Sequence, residues 1–421
     1  MDTVTIDADI AELSLEEKAS LTSGVHFWYT KPIERLGVPS IMLTDGPHGL
    51  RKQRDGSDHL GIGDSVPATC FPPAVALGSS WDVALVERIG AALGAEAALE
   101  HVAVVLGPGI NIKRSLLCGR NFEYLSEDPV VSGVLGAALV TGIQSRGVGA
   151  SVKHFAANNQ ESDRMRVSAD IDPRPLREIY LRGFQRVVED AQPWTVMCSY
   201  NRINGVYASQ DVWLLTQVLR REWGFSGVVV SDWGAVSDRI AALSAGLDLE
   251  MPGSLSDDRV VAAVRDGSLD RQCLDDATAR ILRLVDRAQT GAAVTTPPAA
   301  GAHHALAREA AGRSIVLLKN DGGILPLTKR GKIAVIGEFA TQPRYQGGGS
   351  SMIKPTRLDN ALDEIRSLAT GEVVHAAGFS SASDVSTEES ARLRHEALTA
   401  ADSADTAVVF LGLPARLESE G

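Results

Sequence analysis

A carboxylate follows directly on a run of three β-branched residues, Val228–Val230. Consecutive valines predict a buried strand, and the next residues are Ser231, Asp232 and Trp233, with Gly234 allowing the chain to turn away. A charge at the end of a buried strand is costly unless it has partners or a chemical task. Asp232 is therefore a candidate catalytic carboxylate, and the alternative is that it caps the next helix.

Four other strand-like segments also end in charged, aromatic or glycine-rich polar groups. These segments are residues 39–44, 102–106, 149–152 and 194–198. Helical patterns separate them, and the order of strand, polar loop and helix repeats over residues 35–290. This alternation predicts an α/β fold, a (β/α)8-like barrel of the TIM type, regular or irregular, with its site at the carboxyl ends of the strands. A doubly wound open sheet is the alternative, although no GxGxxG follows the first strand.

The chain changes character after the barrel pattern. Residues 1–289 form the predicted barrel domain, and residues 290–300 are small and proline-containing, which predicts a linker. Residues 301–421 predict an α/β sandwich domain with strands at 314–318, 332–336, 372–375 and 406–411 and helices at 358–369 and 388–401. Because the sequence stops soon after the last of these strands, we expect a truncated domain and a fragment of a longer protein.

Composition excludes several classes of partner. The formal net charge is −12 and there is no basic run, which argues against nucleic acid and anionic membranes. No signal peptide or membrane-spanning apolar run is visible. Four dispersed cysteines without a CxxC motif indicate free thiols in a reducing compartment, hence a cytoplasmic protein. We expect no metal and no cofactor, because His303 and His304 lack further ligands at suitable spacing. The sequence leaves the oligomeric state open.

An ordered set of motifs resembles glycoside hydrolase family 3, and within it the β-glucosidase subgroup. The motifs are Asp45–Gly49, Gly119–Tyr124 with Ser126–Pro129, Lys153–Phe155, Asn158–Glu161 with Arg164, Cys198–Asn201 and Val230–Trp233. The resemblance covers nearly the whole chain and continues through Leu317–Asn320, Leu325–Leu327, Gly347–Ser350 and Glu418–Gly421. Each motif alone is weak evidence, whereas their order along the chain is specific.

The resemblance implies a retaining, exo-acting β-glucosidase that works through a covalent glycosyl-enzyme. Asp232 matches the family's nucleophile and Glu420 its acid/base, so the two carboxylates come from different predicted domains. Retention requires one ionised and one protonated carboxyl group roughly 5–5.5 Å apart, and the acid needs a raised pKa. Glu418 competes with Glu420 because an extended segment points both side chains the same way; the family match favours Glu420. The alternative for Glu420 is a solvated glutamate.

The resemblance also implies a sugar-binding cradle. The matching residues are Asp45, Arg51, Arg120, Lys153, His154, Arg164, Tyr200 and Trp233, with Ser350 from the second domain. A carboxylate can accept two sugar hydroxyls, the cations donate to others and keep nearby acids ionised, and the indole offers an apolar face. Tyr200 can hydrogen-bond the nucleophile. The alternatives are surface ion pairs for the arginines, a core histidine for His154 and a flexible turn for Ser350.

Other activities stay open at this stage. The family's β-N-acetylhexosaminidases carry a His–Asp acid/base after a KHFPGHG-like motif, and here Lys153 is followed by His-Phe-Ala-Ala-Asn-Asn-Gln-Glu. A β-xylosidase, arabinosidase or other exo-β-glycosidase remains possible, since a pentose and a hexose differ by one CH₂OH group. The other class is a non-catalytic sugar-binding fragment. We expect residues 1–421 alone to be poorly active and the complete polypeptide to hydrolyse β-glucosides.

Overall fold

The computed structural model of the protein describes residues 10–54, 65–291, 297, 299 and 301–420. Contacts divide these residues into two compact units. The first contains the residues up to Ile315 together with Gly349–Lys354 and Glu420, and the second contains Val316–Gly348 and Pro355–Ser419. Sequence analysis placed residues 301–315 and these two short segments in the second domain, whereas their contacts group them with the first unit. The domain boundaries themselves stay a prediction.

The strands, numbered in chain order, are mostly short. They are β1 (Leu43–Asp45), β2 (Val104–Leu106), β3 (Gly149–Phe155), β4 (Ser168–Ala169), β5 (Thr195–Cys198), β6 (Arg202–Ile203), β7 (Val206–Tyr207), β8 (Val228–Val230), β9 (Ile333–Ile336), β10 (Val373–Ala376) and β11 (Thr406–Val409). In the first unit, five of them form a parallel sheet in the order β1-β2-β3-β5-β8. Every residue of these five strands is buried, as expected for strands covered on both faces.

The parallel sheet closes on itself through three short bridged segments. Val230 pairs with Leu249, Ser23 with Glu250, and Tyr29 with Met42. The hydrogen bonds across these junctions are 2.9–3.0 Å long, from Ser231 N to Leu249 O, from Gly24 N to Glu250 O and from Leu43 N to Trp28 O. The Tyr29 junction is antiparallel, so the barrel is irregular. The predicted barrel is therefore confirmed and the open doubly wound sheet is wrong.

Helices of the first unit alternate with the strands, and four of those described begin at a capping side chain, namely Ser14, Asp82, Asp128 and Asp238. The α-helices are Leu15–Leu21, Ala74–Ser80, Val83–Leu99, Pro129–Gln144, Pro173–Pro175, Arg182–Ala191, Arg239–Ala245, Asp257–Asp266, Arg271–Gly291 and Ala302–Ser314, with π-type turns at Leu176–Tyr180 and Trp213–Glu222. Ser14 and Glu17 form a capping box at the start of the helix Leu15–Leu21: Ser14 N donates to Glu17 Oε2 at 2.8 Å and Glu17 N donates to Ser14 Oγ at 3.1 Å. Most of the predicted linker lies outside the described residues.

Short 3₁₀ turns complete the helical structure. They are Glu34–Leu36, Asn121–Glu123, Ala208–Gln210, Glu338–Ala340, Gly349–Ser351 and Ala415–Leu417. Two of them carry residues of the site described below, namely the Asn121–Glu123 turn after β2 and the Gly349–Ser351 turn. Among the helices of the described residues, none has the length and apolarity needed to cross a membrane.

The second unit contains a smaller parallel sheet in the order β10-β9-β11. The helices Ala361–Leu368 and Thr387–Asp402 flank it, and Ile333, Val335 and Leu362 lie in its core. Three of the four predicted strands are confirmed. The predicted strand 314–318 is wrong: Ser314 ends a helix, the following residues form no strand, and Leu318 is 91 % exposed. An apolar run becomes a strand only beside a partner strand, and within the described residues none pairs with it.

Candidate active site

Asp232 stands at the carboxyl end of β8 and is almost fully buried. Its Oδ1 accepts a hydrogen bond from Trp233 N at 2.8 Å. Its Oδ2 is buried and accepts no hydrogen bond from the described residues. The capping alternative is wrong, because Asp238 is the residue that caps the next helix and accepts from Ile240 N and Ala241 N. The free oxygen of Asp232 is therefore available to a ligand.

Opposing effects act on the acidity of Asp232. Burial raises the pKa of Asp232, while the positive charges of Arg120, Lys153 and Arg164 lower it, and the net direction is upward. The nearest ring nitrogen is His154 Nε2, which lies 3.7 Å from Oδ2. The predicted cations do surround Asp232, but their effect on its pKa is smaller than the effect of burial.

A glutamate that sequence analysis did not select lies between two of the predicted cations. Glu123 Oε2 is 2.7 Å from the Arg120 guanidinium, and Oε1 is 3.0 Å from Lys153 Nζ. All three side chains are buried. Burial raises the pKa of Glu123, but the charges of Arg120 and Lys153 lower it by more. The net effect is a lowered pKa, so the carboxyl group stays ionised. Glu123 lies inside the Gly119–Tyr124 motif, but only the fold shows that its negative charge offsets the positive charges of Arg120 and Lys153.

We expect Glu123→Gln to destabilise the protein. Glutamine has nearly the same shape as glutamate but no charge, so the buried cations Arg120 and Lys153 would share a neutral partner. Breaking a buried ion pair costs about 3–5 kcal/mol of unfolding free energy. Urea unfolding of this variant and of the exposed control Glu127→Gln measures the difference, and the control should lie within about 0.5 kcal/mol of wild type. A loss below about 1 kcal/mol for Glu123→Gln would show that the cations do not depend on this carboxylate.

Asp45, the last residue of β1, and Arg51, on the loop that follows, form a second buried ion pair. Arg51 Nη1 lies 3.1 Å from Asp45 Oδ2 and donates to Ser350 O at 3.3 Å. The backbone supports the pair, since Arg51 N donates to Asp45 O at 2.9 Å. Burial raises the pKa of Asp45 to about 6, even though Lys153 and Arg51 oppose the shift. Asp45 therefore titrates close to neutral pH.

Glu420 is held by Arg164 and by the turn that contains Ser350. Arg164 Nη2 donates to Glu420 Oε2 at 3.1 Å, and Ser350 N donates to Oε1 at 2.7 Å, with the Ser350 hydroxyl on the same oxygen. The competing Glu418 is 3.1 Å from Arg344 within the second unit. Local contacts therefore distinguish two glutamates that sequence spacing could not separate.

The acidity of Glu420 runs against the sequence hypothesis. Burial raises the pKa of Glu420, but Arg120, the Ser350 hydrogen bonds and Arg164 together lower it well below its usual range. A general acid needs a raised pKa, so that part of the hypothesis is wrong for the site as it stands. The physical reason is that the positive charges of Arg120 and Arg164 and the two Ser350 donors all favour the ionised form of Glu420.

Aromatic side chains form one wall of the site. Trp233 donates its indole N–H to Phe27 O at 2.7 Å, and its ring centroid lies 5.4 Å from that of Trp28. The Arg164 guanidinium lies 4.6 Å from the centroid of the Tyr200 ring. The Tyr200 hydroxyl donates to Trp233 O at 2.9 Å, whereas sequence analysis expected this hydrogen bond to reach Asp232. The tyrosine thus orients the backbone beside Asp232.

Three more residues that the sequence did not predict as site residues complete the buried polar network. Tyr124 Oη lies 3.1 Å from His154 Nδ1, Asn158 Nδ2 donates to Tyr124 Oη at 3.0 Å and to Glu161 Oε1 at 3.1 Å. Glu161 in turn pairs with Arg164 at 3.0 Å. These residues lie in the Gly119–Tyr124 and Asn158–Glu161 motifs, but their residue types do not distinguish them from polar residues with a purely structural role. Together they link His154, beside Asp232, to the arginine that holds Glu420.

The structure brings all the sequence-predicted site residues into one connected set. The ion pairs and hydrogen bonds above join Asp45, Arg51, Ser350, Glu420 and Arg164, and the charges of Arg120 and Lys153 act on the same carboxylates. Their individual roles stay predictions. Within the described part of the chain, no group of three or more His, Cys, Asp or Glu side chains is arranged to hold a metal ion.

The fold and the site define a (β/α)-barrel protein with a charged, carboxylate-rich site at the strand ends. Residues 29–284 match the profile described as the glycosyl hydrolase family 3 N terminal domain, and residues 315–421 match the glycosyl hydrolase family 3 C-terminal domain. The chain therefore belongs to glycosyl hydrolase family 3. This confirms the resemblance inferred from the motifs.

Similar proteins include β-glucosidases and a glycosidase of another specificity. The chain is 54 % identical to the thermostable beta-glucosidase B of Acetivibrio thermocellus over 99 % of its own length and 56 % of that protein's. It is 52 % identical to an exo-alpha-(1->6)-L-arabinopyranosidase of Bifidobacterium longum, over 98 % and 55 % of the two lengths. The chain thus spans little more than half the length of these curated relatives.

Solved structures of β-glucosidases share the fold. A family 3 beta-glucosidase from Bifidobacterium adolescentis is 50 % identical and superposes with a TM-score of 0.89, covering 98 % of this chain and 59 % of that one. Beta-glucosidase 3B from Thermotoga neapolitana, solved in complex with glucose, is 33 % identical with a TM-score of 0.85, covering 99 % and 63 %.

Proposed function

We propose that this chain carries the glucose-binding and catalytic site of a retaining, exo-acting β-glucosidase. The observation that supports this most directly is the buried Oδ2 of Asp232, which accepts no hydrogen bond from the described residues. The positive charges of Arg120 and Arg164 act both on Asp232 and on a second carboxylate, Glu420. A retaining glycosidase needs two carboxyl groups facing one anomeric carbon. The substrate is a β-glucoside or oligosaccharide with a terminal, non-reducing β-D-glucosyl residue.

In this mechanism Asp232 Oδ2 attacks the anomeric carbon, and the C–O bond to the aglycone breaks as a proton reaches the leaving oxygen. The positive charges of Arg120, Lys153 and Arg164 lower the pKa of Asp232 against the effect of burial, which keeps a nucleophile available. In this proposal Asp45 and Lys153 hydrogen-bond sugar hydroxyls. Water then attacks the covalent intermediate, assisted by a carboxylate acting as base.

Glu420 is the proposed acid/base, and its ionised state suits the second half of the reaction. To act as an acid in the first half it must take up a proton, which requires substrate binding to weaken the contact with Arg164 or with Ser350. The Arg164 guanidinium and the Ser350 hydroxyl are both hydrogen-bond donors to Glu420, and a sugar hydroxyl can compete with the carboxylate for them. The acid role thus depends on a local rearrangement when the sugar binds.

Trapping with a 2-deoxy-2-fluoro-β-D-glucoside that carries a good leaving group tests the proposal. The fluorine slows hydrolysis of the intermediate, so the complete polypeptide should gain one glucosyl label, and peptide mass mapping should place it on Asp232. A label on another carboxylate would reassign the nucleophile. Turnover without any trapped intermediate, giving the α-anomer as first product, would contradict retention.

Sugar specificity is the least constrained part of the proposal. One relative is named an exo-alpha-(1->6)-L-arabinopyranosidase, and it is 52 % identical to this chain, compared with 54 % for a relative named as a β-glucosidase. Selection by one CH₂OH group is worth about 1–3 kcal/mol. We expect kcat/KM for p-nitrophenyl β-D-glucoside to exceed that for the α-L-arabinopyranoside and β-D-xyloside, and the reverse order would move the assignment to a pentosidase.

The acidic side of the pH profile should depend on Asp45. With a pKa of about 6, Asp45 becomes protonated as the pH falls through that value and then accepts one hydroxyl hydrogen fewer, so kcat/KM should fall below about pH 6. We expect Asp45→Asn to lower kcat/KM and to remove this titration, leaving an acidic limb at another pH. An unchanged limb near pH 6 in the variant would assign it to a different group.

We also propose that the protein works in a reducing, cytoplasmic compartment and binds neither nucleic acid nor membranes. All four cysteines are free thiols, and burial raises the pKa of both Cys70 and Cys198 to about 12, so these two thiols are poorly reactive. The net charge of −12 does not favour binding to nucleic acid or to anionic membranes.

A further inference from the structure

His154 lies between Asp232 and a second row of buried polar groups. Nε2 is 3.7 Å from Asp232 Oδ2, and Nδ1 is 3.1 Å from the Tyr124 hydroxyl oxygen. Burial, with help from the neighbouring arginines and lysine, lowers the pKa of His154 well below its usual range, so the ring is neutral. A neutral imidazole carries one proton on one of two nitrogens. The choice of nitrogen decides whether Asp232 faces a hydrogen atom or a lone pair.

Asn158 determines the direction in which the Tyr124 hydroxyl donates. Asn158 Nδ2 lies 3.0 Å from Tyr124 Oη and 3.1 Å from Glu161 Oε1. An ionised carboxylate only accepts hydrogen bonds, so the amide nitrogen and not the amide oxygen must face Glu161. The same NH₂ group then donates to Tyr124, and the tyrosine's own hydrogen must point elsewhere. Burial raises the pKa of Tyr124 well above its usual value, so this hydrogen is retained.

Among the described residues, the other hydrogen-bond partner of that hydroxyl is His154 Nδ1. Among the described residues, the other candidate partner of Nδ1 is Asn111 Oδ1 at 3.4 Å, which is farther than the Tyr124 hydroxyl oxygen at 3.1 Å and also accepts from His154 N at 2.8 Å. The Asn111 amide nitrogen completes the pair by donating to His154 O at 2.9 Å. Asn111 therefore anchors the backbone of His154, and the shorter Tyr124 contact is the one that specifies the ring.

We propose that Asn158 and Tyr124 hold His154 as the neutral Nε2–H tautomer, which presents a hydrogen atom to Asp232. Asp232 Oδ2 accepts no hydrogen bond from the described residues, so this N–H dipole is the nearest ring group that stabilises its negative charge. The opposite tautomer would set a lone pair against the carboxylate, which is repulsive. Asn158 and Tyr124 are thus positioning residues that act through His154.

The tautomer itself is measurable without any activity assay. In the complete polypeptide labelled with ¹⁵N at histidine, two-bond ¹H–¹⁵N correlations show which ring nitrogen carries the proton, and the His154 signal is the one missing in His154→Asn. We expect a protonated Nε2 and an unprotonated Nδ1, constant over the pH range in which exposed histidines titrate. A protonated Nδ1, or a charged ring at neutral pH, would overturn the inference from the wild-type spectrum alone.

Tyr124→Phe tests the positioning role. Without the hydroxyl, Asn111 Oδ1 becomes the nearest partner of Nδ1, so the proton should move to Nδ1. The ring would then turn a lone pair instead of an N–H toward the charged Asp232, and kcat/KM should fall about 10- to 100-fold. Tyr180→Phe is the matched control, because its hydroxyl accepts from Arg114 at 3.2 Å outside the site, and it should change neither quantity. A Tyr124→Phe variant that keeps the Nε2–H tautomer would refute the role of Tyr124.

The rate effect rests on the proposed function, whereas the tautomer does not. If Asp232→Ala retained full turnover while the spectrum showed Nε2–H, the proposed function would fail and the tautomer assignment would stand. If trapping labelled Asp232 but the spectrum showed Nδ1–H, the reverse would hold. The two experiments therefore separate the two failures.

Discussion

Asp232→Ala should reduce kcat/KM for p-nitrophenyl β-D-glucoside by at least about 10⁴-fold, because loss of a catalytic nucleophile removes the covalent route. The side chain is almost fully buried, and its Oδ2 accepts no hydrogen bond from the described residues, so its removal breaks few structural contacts. Steady-state kinetics and the unfolding midpoint should be measured on the same preparation. We expect a large kinetic effect together with a small change in stability.

Asp238→Ala is the matched control for this experiment. Asp238 lies six positions further along the chain and caps the helix Arg239–Ala245. Its removal should cost about 1 kcal/mol of unfolding free energy while leaving kcat nearly unchanged. If instead Asp232→Ala kept wild-type turnover, the nucleophile assignment and the proposed mechanism would both be wrong. The pair therefore separates a chemical role from a capping role.

Glu420→Ala should lower kcat for the same substrate by about 10²- to 10⁴-fold, the range of general acid–base catalysis. Azide should restore part of the rate, because it attacks the glycosyl-enzyme without needing a base, and the product should be β-glucosyl azide. Substrates with highly acidic leaving groups should lose less in the first step, since they need no proton. Product analysis by mass spectrometry and NMR measures both effects.

Glu418→Ala serves as the control for Glu420→Ala. Glu418 is paired with Arg344 within the second unit and should be replaceable with little loss of kcat and no response to azide. Rescue of Glu418→Ala, with none for Glu420→Ala, would transfer the acid/base role to Glu418. A third variant, Ser350→Ala, removes one donor to Glu420 and should raise the pKa on the basic side of the kcat profile.

Much of the fold and of the site follows from local sequence patterns. Short apolar runs that end at polar groups predicted the strands, and parallel strands place those groups at one edge of a barrel. The ordered motifs predicted Asp232, Arg120 and Lys153 as site residues, and the structure brings them together. The failure at residues 314–318 has a physical reason: a strand's hydrogen bonds need a partner, and propensity alone does not supply one.

Pairing within the site was invisible to the sequence. Nothing about Glu123 distinguishes it from a surface glutamate until the chain places it between Arg120 and Lys153. The same holds for Asn158, whose amide nitrogen contacts Glu161 and Tyr124 only in the folded chain. Side-chain hydrogen bonds depend on distances of a few tenths of an ångström, and no spacing rule reaches that precision.

Residue types and their order are enough to identify the chemical groups at the strand ends and the family of the chain, because both are read directly from the amino acids. Only the tertiary structure decided which charges meet, and hence that the pKa of Asp45 lies near 6 while that of Glu420 is lowered. Acidity depends on burial and on the distance to each neighbouring charge. Both quantities exist only once the chain has folded.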